Sequence, residues 1–182
     1  VAGVSFFRAK EDKESIMQTI RKLINEPIMR QGFIFGSILG TIHVFYNLVN
    51  NLMNLDVVAN AWLNNSMLVA LVLLLGLAGF GTRKAKSGAL AGFTAGLISA
   101  LIGITSMWIV TLLSMETISH NTFMIMDFQR SGAATMNQFI IEDAVGATAV
   151  EFVVSLLFGA ILGLLGGWLG SKTSTQRPAP AV

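Results

Sequence analysis

Two residues of this sequence could carry proton or ligand chemistry where such groups are scarce. His43 and Glu151 each sit inside a long apolar stretch. Ionisable side chains at membrane depth are rare and are usually paired. A rise of about 1.5 Å per residue, counted along helices that run in opposite directions, brings the two to within about one helical turn of the same depth. Asn47 is nearly level with Glu151. The reading expects a buried polar cluster of His43, Asn47, Asn50 and Glu151. Asp143, two turns before Glu151 on the same helical face, would line its outer mouth.

Three chemistries fit that cluster. It could hold the bundle together by interhelical hydrogen bonds, which contribute on the order of 1 kcal/mol each. It could form a proton or ion route, because an imidazole and a carboxylate at matched depth exchange protons when water reaches them. His43 could also be the axial ligand of a tetrapyrrole, a flat macrocycle that neighbouring glycines would admit. A second membrane-embedded histidine for a bis-histidine haem is missing, so that third option narrows to a five-coordinate pigment.

Other chemistry is not written in the chain. It has 0 Cys and 2 His, so there is no thiolate chemistry and no paired metal-binding histidines. No phosphate-binding glycine loop and no dinucleotide fingerprint appears. His120 lies four residues after Glu116, a spacing that allows a helical pair but reads as a solvated loop. The sequence therefore predicts no enzyme and no metal site. A net charge of +2 is too small to suggest nucleic acid.

The elements that must position these residues are helices in lipid. The chain has 182 residues, of which 53% are hydrophobic and 12% charged. An ordinary soluble domain carries about 25% charged residues. The predicted fold is all-α, an integral membrane bundle of four transmembrane helices at about 31–55, 61–81, 88–113 and 144–169. Together these make a transmembrane domain over 31–170, flanked by an N-terminal segment over 1–30 and a polar tail over 171–182. Residues 1–10 contain no apolar core of the length a signal peptide needs. Ile16, Ile20, Leu23 and Ile24 at helical spacing predict an amphipathic surface helix over 9–26 that Pro27 ends. The connection over 114–143 is long and apolar, and one or two short helices are expected in it, lying on the membrane or against the bundle.

Glycines recur every fourth residue in three of these helices. They are Gly32, Gly36 and Gly40, then Gly88, Gly92 and Gly96, then Gly159, Gly163 and Gly167. Four-residue spacing stacks them on one helix face. Such glycine zippers let a second backbone come close, a main source of helix affinity in lipid. Gln31 to Gly36 parallels Ser87 to Gly92, and Gly76 to Arg83 parallels Gly163 to Lys172. These likenesses suggest a repeat of two helical hairpins.

Basic residues set the orientation. Eleven Lys and Arg fall in the N-terminal segment, the 82–87 loop and the tail, and only Arg130 lies on the other side. The positive-inside rule then places both termini on the cytoplasmic side, or its organellar equivalent. A plasma or energy-transducing membrane is expected, with the bacterial inner membrane favoured.

Four helices, same-side termini and glycine spacing resemble the mitochondrial inner-membrane translocase group. The likeness covers spacing and topology alone, and no functional residue is carried across. The expected function is a non-catalytic accessory or structural subunit of a larger membrane complex. Its partners would be the bilayer and other membrane subunits. The alternatives are a small oligomeric transporter or channel with a route near His43 and Glu151, and a pigment- or haem-binding subunit.

Overall fold

Pro27 opens the first long helix. It occupies the first turn, where a missing N–H costs nothing and its fixed φ suits the helix. The computed structural model describes residues 26–175, so the expected surface helix and most of the tail lie outside the described residues. Six helices follow in order: α1 (Pro27–Leu52), α2 (Val57–Phe80), α3 (Ala85–Leu113), α4 (Met115–Ser119), α5 (Thr122–Ser131) and α6 (Met136–Thr175). No strand occurs among the described residues. Four of the helices, α1, α2, α3 and α6, are long and apolar enough to cross a membrane.

Several boundaries differ from the sequence reading: α2 starts at Val57 and not 61, α3 at Ala85 and not 88, and α6 runs to Thr175 and not 169. Residues 27–30 belong to α1, because Pro27 starts that helix as well as closing what precedes it. Residues 136–143, expected in the long connection, form the first two turns of α6. At 40 residues α6 is about 60 Å long, roughly twice the hydrocarbon thickness of a bilayer. Gln138, Glu142 and Asp143 hide this start, since hydropathy marks where a membrane ends and not where a helix does.

The helix α3 is the centre of the arrangement. α1 packs along one side of it and α6 along the other, while α1 and α6 make no backbone approach to each other. α2 closes the bundle against α6, with smaller contacts to α1 and α3. Small residues make this possible. Ala91, Gly92, Ala95, Gly96, Ala100 and Gly103 of α3 are all buried.

Glycines set the spacing of each interface. A Cβ added at Gly32 or Gly36 would meet the carbonyl oxygens of Ala91 and Ala95, both at 2.7 Å. At Gly92 it would collide with the Gly159 carbonyl, and at Gly96 with that of Ser155. Gly163 is approached from two directions: a Cβ on it would meet Gly88 and Gly92 of α3, and a Cβ on Gly79 of α2 would strike its carbonyl. Gly166 and Gly170 press on the Gly76 and Phe80 carbonyls of α2. Each of the nine glycines singled out from the sequence is buried within this one chain.

These contacts gather toward one end. Arg30, the turn over 82–86 and Lys172 share that end, and the acidic residues Asp56, Glu116, Asp127, Glu142 and Asp143 belong to the other. α2 follows the same gradient. Its only buried residues are Leu75, Ala78 and Gly79, near its last turn.

At the acidic end, α4 and α5 lie on the bundle. Val110, Ile118 and Ile140 form a small buried cluster with Met115, Met124 and Met136 around it. Phe128 of α5 and Phe139 of α6 bring their ring centroids to 6.0 Å. The Thr122 N–H donates to Asn54 Oδ1 at 3.2 Å, tying the short helices to the end of α1. Gly132 terminates α5 at φ 74, a left-handed conformation that other residues adopt only with strain.

Candidate functional site

The polar residues of α1 divide into two groups according to what the neighbouring helices leave open. His43 and Asn47 are buried, at 7% and 6% exposure. They face α3, whose small residues at 99, 103 and 106 leave room for them. His43 Nδ1 lies 3.3 Å from Glu151 Oε1 and 3.1 Å from Ser99 Oγ. Glu151 reaches this point from α6, across the face of α3. The crossing passes over Gly103. A Cβ there would run into Glu151 Oε1 and come to 2.9 Å from His43 Nδ1. Because α1 and α6 do not touch by backbone, the absent side chain of Gly103 is the opening through which the pair forms.

Hydrogen bonding at this point is incomplete. Glu151 Oε1 is buried and makes no hydrogen bond. The imidazole lies 3.3 Å away, but its Nδ1 is the atom paired with Ser99 Oγ. A ring nitrogen offers one hydrogen or one lone pair. Used toward Ser99, that site does not also serve the carboxyl, so the pair is a close approach of two ionisable groups.

Asn47 sits one turn further toward the acidic end. Its Nδ2 donates to the Gly103 carbonyl at 3.0 Å and to Ser106 Oγ at 2.7 Å. Asn51 Nδ2 in turn donates to the Asn47 carbonyl at 2.8 Å. Beyond this, Trp108 Nε1 donates to Thr148 Oγ1 at 3.1 Å, joining α3 to α6.

Asn50 and Asp143 are not part of the buried pair. They line a cavity of about 250 Å³ at the acidic end, with Tyr46, Asn51, Asn60, Asn64, Asp127 and Asn121. The cavity lies beside the first half of α2, where residues 57–66 include no buried side chain. Tyr46 spans the gap, and its hydroxyl donates to Asn64 Oδ1 at 2.8 Å. Asn60 Oδ1, on the same helix, is buried with no partner. The expected single cluster is thus a buried pair supported by Asn47 and a separate polar cavity above it.

Several members of both groups were not legible in the sequence. Ser99, Gly103 and Ser106 read as helix packing, since small residues fit an apolar interface equally well. Asn60 and Asn64 lie on a helix whose position relative to α1 only the tertiary structure gives. Glycine is the signal that could have located the pair, because Gly103 extends the small face of α3 to the depth of His43.

Comparison with protein-family models, with curated proteins and with solved structures finds no match for this chain. The likeness to the mitochondrial translocase group accordingly rests on glycine spacing and helix number alone.

Proposed function

We propose that the protein is a non-catalytic subunit of a larger membrane complex. The observation that carries this reading is the outward face of α2. Residues 57–66 of this apolar helix include no buried side chain, and Trp62 is 71% exposed. Asn65 and Ser66 are exposed beside it, below the helix start by about 12–14 Å at 1.5 Å per residue. An amide or hydroxyl facing hydrocarbon without a partner costs several kcal/mol in an alkane-like medium. A neighbouring transmembrane helix that supplies hydrogen-bonding groups removes that cost. The glycine zippers do not supply this surface, since they are occupied inside the chain. The orientation proposed with this reading puts the basic end, with both termini, on the cytoplasmic side of a plasma or energy-transducing membrane.

A transport route finds less support. Toward the acidic end Asn47 bonds to Gly103 and Ser106 and not to the His43–Glu151 pair, and toward the basic end the helices meet backbone to backbone from Gly96 to Gly167. A tetrapyrrole at His43 also finds little support. The glycine surface one turn away is filled by Ile102, which approaches Gly40.

The absence of native cysteine makes the test direct. A single cysteine at Asn65 (N65C), carrying a photo-crosslinker, is irradiated in native membranes, and the products are identified by mass spectrometry. A defined protein partner at N65C, and none at a control cysteine on the outer face of α6 such as V153C, supports the subunit reading. Lipid adducts only, together with a monodisperse single chain after gentle solubilisation, overturns it.

A further inference from the structure

We propose that the cavity at the acidic end, with the groove below it, seats one membrane lipid whose headgroup carries an ammonium group. The cavity has the chemistry of a cation site. Its walls include the carboxylates of Asp127 and Asp143 and no Lys, Arg or His. The nearest described cation, Arg130, stands 4.0 Å from Asp127 with both side chains mostly exposed. Asn60 Oδ1 is an acceptor that lacks a donor. The rings of Tyr46, Phe123 and Phe139 complete the lining. Carboxylates, an unpaired amide oxygen and aromatic rings together match an organic ammonium ion, which is held by charge, N–H donation and cation–π attraction.

A second, mostly apolar groove adjoins the cavity. It measures about 170 Å³ and runs between α1 and α2, lined by Ile42, Phe45, Val49, Leu63, Ser66 and Met67. Tyr46 lines both, and its hydroxyl, bonded to Asn64, stands at their boundary. From Asn50 to Ile42 on α1 the lining passes from polar to apolar as it descends into the span. A lipid has that same sequence of chemistry, headgroup at the membrane edge and acyl chain beneath. A soluble amine would use only the upper half. This inference depends on the helices spanning a membrane, not on the subunit reading, and it is tested on the isolated full-length chain.

The experiment is native mass spectrometry of the protein released from vesicles of equimolar phosphatidylethanolamine and phosphatidylglycerol. Retention of the ethanolamine lipid, at roughly tenfold over the glycerol lipid, is expected. The double variant D127N/D143N, altered at two exposed positions, should lose that preference while keeping its melting temperature. V49W, which fills the groove, should lower retention of either lipid. Soluble phosphoethanolamine should compete poorly, which separates a seated lipid from a free amine and does not depend on how V49W folds. Equal retention of the two lipids, or an unchanged preference in D127N/D143N, overturns the headgroup assignment. Full competition by soluble phosphoethanolamine overturns the role of the groove.

Discussion

Glu151 Oε1 and His43 Nδ1 lie 3.3 Å apart although the helices that carry them make no backbone approach to each other. The contact bridges over α3 at Gly103. It links three helices with two side chains, so its loss should be felt in the packing of α1 and α6 at once. A double-mutant cycle of His43→Ala and Glu151→Ala in detergent should give a coupling energy of about 1–2 kcal/mol. A coupling indistinguishable from zero would show that the two side chains do not interact in the folded protein.

Gly103→Ala tests the opening itself. The added methyl meets the carboxylate and the imidazole together, and the pair has to separate. A cost of about 1–3 kcal/mol is expected, the usual range for overpacking. In the background H43A/E151A most of that cost should vanish, because the atoms it strikes are gone. A penalty that persists there would place the strain in the backbone of α3.

Gly163→Ala and Gly146→Ala form a contrasting pair on one helix. A Cβ at Gly163 collides with the Gly88 carbonyl, whereas at Gly146 it meets nothing within 4 Å. The first should lower the melting temperature steeply or abolish folding. The second should be neutral or stabilising by roughly 0.5–1 kcal/mol, the difference in helix propensity. Similar melting temperatures for the two variants would contradict the close approach of α3 and α6.

The start of α2 depends on one carboxylate. Asp56 Oδ1 accepts from the Ala59 N–H at 2.7 Å and caps the helix. Asp56→Ala should cost about 1 kcal/mol and Asp56→Asn much less, since asparagine caps nearly as well. Hydrogen exchange of the amides at 58–60 would report the fraying directly, and equal exchange in the two variants would remove the cap from the account.

What could be read from the sequence follows from what each signal measures. Hydropathy located four spans because apolar runs of that length have few other uses. It missed the first eight residues of α6, where the helix outlasts the apolar run. Depth counting brought His43 and Glu151 together because helical rise is nearly constant. The same counting placed Asn50 beside them, since depth says nothing about which neighbour a face meets. Asp143, expected at the outer mouth, lines the acidic-end cavity with Asn50. The open first half of α2 made the difference for Asn50, and its tight second half is set by glycine contacts between segments far apart in the chain. Ser99 and Ser106 were hidden for a related reason, as a serine in an apolar helix signals a small residue before it signals a hydrogen bond.

α2 is packed backbone to backbone at one end, while its other end is held by the Tyr46–Asn64 hydrogen bond and the 53–56 connection, so it can act as a lever. Its pivot is the contact of Gly79 and Gly76 with α6, and Asn60 lies 19 residues from Gly79, about 28 Å along the helix axis. A tilt of about 5° at the pivot carries Asn60 through about 2.5 Å. Small thermal motions at the clamped end are thereby magnified into changes of width between Tyr46 and the wall opposite. Whatever rests against the far end of that helix works with a mechanical advantage over the packing that holds it.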